Sequence, residues 1–130
     1  MAMTEHVGHR LLRALNDDGK AIRGSRILLL GAAYKRNIDD TRESPAGRLL
    51  ELLEVKGARI SYHDPFVAEY HGHKSTPLTA EALRECDAAL VVTDHDDVDY
   101  ALVGEHAPLV VDTRNVMAAL GDVKARVVRA

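Results

Sequence analysis

The sequence predicts an α/β protein built on a doubly wound parallel sheet, and three observations carry that expectation. A short unbroken apolar run, Ile27-Leu28-Leu29-Leu30, reads as a strand buried on both faces, and Asp87 to Thr93 reads as a second buried strand. Segments with apolar residues at helical spacing alternate with those runs along the chain. Turn residues, Gly31, Gly57 and Asp64-Pro65 among them, punctuate the junctions. Alternating strands and helices favour a parallel sheet, because right-handed crossovers cover both of its faces.

The elements follow in order. Val7, Leu11, Leu12 and Leu15 form one stripe of a first helix, which Asn16-Asp17-Asp18-Gly19 stops. Arg26 to Leu30 is the first strand, ended by Gly31. Ser44 suits a helix N-cap, Pro45 the first helical position and Gly57 the residue past the end. Leu49, Leu50, Leu52 and Leu53 supply that second helix with a buried face. Ala58 to His63 alternates into a second strand, closed by Asp64-Pro65, and Tyr70 to Pro77 reads as a surface loop. Weaker signals mark a short helix over Thr79 to Glu85 and a buried strand over Asp87 to Thr93. A helical turn or two over Asp99 to Glu105 comes next, then a strand over Pro108 to Asp112 and an edge strand over Arg126 to Val128.

With 130 residues the chain is sized for a single domain with one core. Its 46% hydrophobic and 28% charged residues argue against disorder and against a membrane span. A net charge of −3 gives no basic face for nucleic acid. One cysteine, Cys86, allows no internal disulfide, and the first residues have no signal-peptide pattern, so the expected location is cytoplasmic.

In doubly wound sheets ligands bind beyond the carboxyl ends of the strands, which directs attention to the residues after Leu30, His63, Val92 and Val111. The segment from Gly31 to Pro45 is the richest of these. It holds Tyr34, Lys35, Arg36 and Arg42 and runs into a helix N-terminus, where free backbone N–H groups and the helix dipole favour an anion. It is not a dinucleotide fingerprint, since Gly31 is followed by Ala32, Ala33 and a bulky Tyr34. Side chains would have to hold any phosphate. The residues alone leave a second reading open: a turn glycine, capping hydroxyls at Thr41 and Ser44, and solvated cations.

Gly31-x-x-Tyr34-Lys35 followed by Asp40-Thr41-Arg42-Glu43-Ser44-Pro45 resembles the signature of the C-terminal domain of the UDP-glucose/GDP-mannose dehydrogenase family, roughly G-x-x-[YF]-K-x(4)-D-x-R-x-S-[PS]. The similarity runs on through the second helix to Tyr62-His63-Asp64-Pro65 and resumes at Val111-Asp112-Thr113-Arg114-Asn115. It is least clear from His71 to Pro77 and after Leu120.

The resemblance implies a Rossmann-like, three-layer α/β/α domain that binds a UDP-sugar. Residues 1–20 would be the end of a central dimerisation helix and 21–130 the nucleotide-sugar domain. Family members oxidise the hexose C6 alcohol to a carboxylate, with NAD held mainly by an N-terminal domain and a catalytic cysteine outside the matched region. By that resemblance Tyr34, Lys35 and Arg114 contact the nucleotide-sugar and Arg42 faces the cleft near NAD. The partners would be the N-terminal and central domains of the same enzyme, in a homo-oligomer that serves polysaccharide biosynthesis. This chain alone would be inactive. A stand-alone, non-catalytic nucleotide-binding or regulatory module is the alternative. The Tyr62 to Pro65 region leans toward the N-acetylhexosamine enzymes of bacteria.

Other residues invite less. Cys86, flanked by Glu85 and Asp87, lacks the positive surroundings of a reactive thiolate and reads as structural. His71-Gly72-His73 and Asp94-His95-Asp96-Asp97 form no closed metal-ligand set and read as surface loops. Asp64, where a dinucleotide-binding domain keeps its ribose acid, reads as a turn and capping residue. The stripe of the first helix is expected to be exposed without the central segment, giving self-association or repacking.

Overall fold

The computed structural model describes residues 2–42 and 44–130, with side chains from Thr4 onward; Glu43 of the signature lies outside them. Strands β1 (Arg26–Leu30), β2 (Arg59–His63), β5 (Ala88–Val91), β6 (Leu109–Asp112) and β7 (Arg126–Arg129) form one sheet in the order β2-β1-β5-β6-β7. Every pairing in it is parallel. Helices α1 (Ala2–Asp17) and α2 (Pro45–Val55) share one core with the sheet. Helices α3 (Ala80–Glu85) and α4 (Tyr100–His106) belong to the other.

Strand alternation divides the two cores. Ile27, Leu29, Leu90 and Val111 point to the α1/α2 side, whereas Leu28, Leu30, Val91 and Val110 meet Leu83 of α3 and Val103 of α4. All four residues of β5 and of β6 are buried, as strands covered on both faces require. The fold is the doubly wound three-layer arrangement expected from the sequence. Chain direction across the sheet reverses between β1 and β5, so the crevice at their carboxyl ends is the topological switch point.

Two expectations are corrected. The stripe of α1 is not exposed: Val7, Leu11 and Leu15 are buried with Leu49, Leu50 and Leu53 of α2, Ala14 joins them, and Leu12 is only partly buried. Gly8 permits the approach, since a Cβ there would lie 3.0 Å from Leu52. Burying a Leu or Val side chain contributes about 1.5–3 kcal/mol, so the helix has a strong reason to dock on its own sheet. The ground for self-association through that stripe falls away.

The Tyr70 to Pro77 stretch, read as a loop, contains a hairpin of β3 (Glu69–Tyr70) and β4 (His73–Lys74). His71 and Gly72 turn it with φ of 50° and 79°, the signs a type I′ turn needs. Strands of two residues carry no alternation to read. Tyr70 stacks edge-on against buried Tyr62, with ring centroids 6.0 Å apart. Its hydroxyl sits where a Cβ on Gly47 of α2 would come within 2.7 Å.

Candidate functional site

The carboxyl ends of β1, β5 and β6 bring together the segments after Leu30, Val91 and Asp112. Lys35, Arg36, Asp94 and Arg114 line an open groove of about 430 Å³ there. Two of the expected contact residues, Lys35 and Arg114, thus share one groove although 79 positions separate them in sequence (114 − 35). Three cations against one carboxyl make it a place for an anion. Arg114 also borders a smaller, more apolar cavity of about 100 Å³, floored by Val7, Leu49 and Val92.

The other two expected residues are not in the groove lining. Tyr34 is half exposed, and its backbone N–H donates to the Asp40 carbonyl at 2.6 Å, closing the 34–40 loop at its base. Arg42 turns back on that loop: its Nε and Nη2 donate to the two Asp40 carboxyl oxygens at 3.0 and 2.9 Å. The Arg42 guanidinium holds the Asp40 carboxyl down at about 2. Any interdomain contact of Arg42 would compete with that pair.

The expectation of free backbone donors at this turn is corrected. Asp64, at the end of β2 and 2% exposed, accepts from Ala32 N–H at 2.7 Å and from Ala33 N–H at 3.1 Å. Pro45 has no N–H to offer, and Ser44 Oγ accepts from Ala46 N–H at the start of α2. Gly31, at φ 100°, is likewise spent internally, because its Cα faces the Thr93 backbone. The donors that would cradle a pyrophosphate are taken by the protein's own carboxyl group. The turn does not fit a dinucleotide.

Sequence reasoning missed the buried centre beneath the groove. His95, read within a polar surface loop, has no exposed surface. Its Nε2 lies 2.8 Å from Asp64 Oδ2 and its Nδ1 accepts from Asn37 N–H at 2.8 Å. Phe66 packs on the ring at 4.8 Å between centroids. Asp64 Oδ1 also accepts from Phe66 N–H at 2.7 Å, so the turn-and-cap reading describes one of its two oxygens. The available signal was position: Asp64 and His95 both follow strands beside the switch point.

The turn carrying Arg114 is shaped by Asp112, 2% exposed, whose two oxygens accept from Arg114 N–H and Met117 N–H at 3.0 and 2.9 Å. Arg114 Nε reaches Asp94 Oδ1 at 3.4 Å. Among the described residues no group of three His, Cys, Asp or Glu converges as metal ligands, and no helix is long and apolar enough to cross a membrane.

The UDP-glucose/GDP-mannose dehydrogenase family, UDP binding domain, matches residues 28–119, which include the groove, Asp64 and His95. The chain belongs to this family. It is 32% identical over 123 residues to a UDP-N-acetyl-D-mannosamine dehydrogenase of Methanococcus maripaludis, covering 88% of this chain and 28% of that protein. It is 33% identical over 120 residues to a UDP-glucose 6-dehydrogenase of Rhizobium meliloti, covering 85% of this chain and 27% of that protein. An NDP-N-acetyl-D-galactosaminuronic acid dehydrogenase of Methanosarcina mazei Go1 has the same fold, with a TM-score of 0.80 at 27% identity over 98% of this chain and 28% of that one. This UDP binding domain therefore spans little more than a quarter of the curated relatives it matches.

Cys86 lies away from the groove, at the end of α3, with Sγ 3.1 Å from the Leu83 carbonyl. Burial, reinforced by Asp87, pushes its thiol up to about 11. At pH 8 its thiolate fraction is then lower by about two powers of ten than for an ordinary thiol of pKa near 9. Ellman's reagent should accordingly label the native chain at least tenfold more slowly than the urea-unfolded chain; equal rates would remove the inert reading.

Proposed function

We propose that this chain binds the UDP end of a UDP-sugar in the groove of Lys35, Arg36 and Arg114, as the nucleotide-sugar half of an NAD-dependent 6-dehydrogenase. The observation that carries the reading is the convergence of Lys35 and Arg114, from two distant signature segments, on one groove at the switch point. Lys35 and Arg114 supply charge-assisted hydrogen bonds to the pyrophosphate and ribose end, and Tyr34, half exposed beside Lys35, covers a ring. The stand-alone binding module has no observation that favours it.

The role is positioning. Energy from the remote nucleotide can hold the hexose C6 where chemistry happens elsewhere. NAD would accept hydride in the assembled enzyme, bound mainly by an N-terminal domain outside this chain. The occupied donors at the first turn support that division, and so does a dehydrogenase name on the relatives. Arg42, exposed to solvent, would meet the NAD side once released from Asp40. Residues 1–20 fit the end of a central segment, although α1 is packed into the same core. A homo-oligomer belongs to the same reading, with contacts other than the α1 stripe, which is used internally. A cytoplasmic location goes with this chemistry and with the free, buried Cys86.

Relatives named for two different sugars match at nearly the same identity, which supports a domain that grips the nucleotide and leaves the hexose to the rest of the enzyme. Titration calorimetry of the chain with UDP, GDP and NAD tests the proposal. UDP should bind with a Kd between micromolar and millimolar, and NAD should not bind measurably. Lys35→Ala and Arg114→Ala should each weaken UDP by about tenfold or more, the scale of a charge-assisted contact of about 1.5–3 kcal/mol. Equal binding by both variants and the unsubstituted chain would refute the assignment.

A further inference from the structure

We infer that His95, with its neighbours Asp94 and Asp96, is the positioning centre that sets the shape of the nucleotide groove; the inference rests on the UDP reading above. The 34–40 loop carries Lys35 and Arg36 but has no regular structure of its own. Something must hold its tip. Asn37 stands there in the left-handed region at φ 63°, and three hydrogen bonds tie it to the segment after β5. Its N–H donates to His95 Nδ1, its Nδ2 donates to Asp96 Oδ2 at 2.8 Å, and its Oδ1 accepts from Asp96 N–H at 2.9 Å.

The imidazole spans the loop from tip to base. Since Nδ1 accepts from a backbone N–H, the ring hydrogen lies on Nε2, which donates to Asp64 Oδ2. That same oxygen accepts from Ala32 and Ala33, the first residues after β1. One fully buried ring thus links where the loop leaves the strand to where it turns. Phe66 packs on the ring, and Tyr100 Oη donates to the His95 carbonyl at 3.0 Å, so the ring and its backbone are both held.

The opposite wall is governed from the same three residues. Asp94 Oδ1 accepts from Arg114 Nε, so consecutive side chains orient the two sides of the groove: Asp94 the arginine, His95 and Asp96 the loop of Lys35. None of the His95 hydrogen bonds goes to the groove itself. It acts through Asn37 and Asp64, and is a positioning residue.

The test uses the whole chain, UDP as probe and amide NMR. In the unsubstituted chain the Asn37 amide should be protected from exchange, and a long-range 15N spectrum should show the Nε2–H tautomer of His95. Asn37→Gly keeps the positive φ and the N–H but removes the Asp96 pair. Because Asn37 is exposed, this variant should fold with its melting temperature nearly unchanged. His95→Ala should release the Asn37 amide entirely. Each variant should weaken UDP by about tenfold, comparable to losing one charge-assisted contact. The His95→Ala effect should largely vanish when Lys35 and Arg36 are both already Ala, since all three act through one loop. A folded variant that binds UDP as the unsubstituted chain does, or an unprotected Asn37 amide in that chain, overturns the inference. Should His95→Ala fail to fold, Asn37→Gly decides the Asp96 pair, and protection of the Asn37 amide with the His95 tautomer in the unsubstituted chain decides the role of the ring. If the unsubstituted chain does not bind UDP at all, the ligand reading falls, and amide exchange and tautomer alone decide the role of His95.

Discussion

Replacing Asp64 with Ala should lower the unfolding free energy by about 3–5 kcal/mol, because it strips several buried donors of their acceptor at once. The Asp64 side chain is fully buried, and its two oxygens accept four hydrogen bonds: from Ala32, Ala33 and His95 on one, and from Phe66 on the other. Truncation leaves several donors without an acceptor in a place water reaches poorly. Each orphan costs about 1–3 kcal/mol, and relaxation of the turn recovers part of the sum. A domain of this size has about 5–15 kcal/mol in all, so the variant should sit near the edge of folding.

Asp64→Asn separates polarity from shape. The amide has one carbonyl oxygen where the aspartate has two acceptors. With that oxygen facing Ala32, Ala33 and His95, the NH2 is left against the Phe66 N–H. The expected loss is intermediate, about 1–3 kcal/mol, from one unsatisfied contact. Urea unfolding followed by circular dichroism reads both values. If Asp64→Ala loses less than about 1 kcal/mol, Asp64 is not the keystone of the first turn, because even one buried orphan should cost that much.

These hydrogen bonds explain which features the sequence disclosed. The strand runs and the stripe of α1 were legible because burial imposes periodicity on many residues at once. The cap at Ser44 was legible because a single residue type at a helix start carries its own chemistry, whereas Thr79, read as the first residue of its helix, caps it instead. The Asp64–His95 contact joins positions 31 residues apart, and nothing local distinguishes a histidine that folds inward from one in a polar loop. Tertiary pairing alone tells them apart. The burial of the α1 stripe was hidden for a related reason: periodicity reveals that a face must be covered, not what covers it. For the groove, the resemblance supplied Lys35 and Arg114 as candidates, and the parallel register of β1, β5 and β6 brings the segments that bear them to one end of the sheet. Arg42 shows the limit of such transfer, since its pairing with Asp40 lies outside the groove lining.

Gly31→Ala should cost about 2–5 kcal/mol, from left-handed strain of about 1–2 kcal/mol and overpacking of about 1–3 kcal/mol. Gly31 sits at φ 100°, which an L side chain rarely adopts, and a Cβ there would lie 2.5 Å from Thr93 Cβ, 2.7 Å from Thr93 N and 2.9 Å from Thr93 Cα. Two of those three atoms are backbone. The Thr93 segment is itself pinned, its N–H bonded to the Leu30 carbonyl and its Oγ1 to the Ala33 carbonyl. A shift of either strand end would break contacts on both sides of the switch point. The glycine is therefore required by strand-to-strand packing, whereas in a dinucleotide fingerprint it would be required by a ligand. The two origins predict different rescue behaviour. Thr93→Gly removes one of the three clashing atoms and leaves the backbone pair, so the double variant should recover little stability. Full recovery in urea unfolding would mean that the side chain alone made Gly31 necessary, and the close approach of the two backbones would no longer explain the residue.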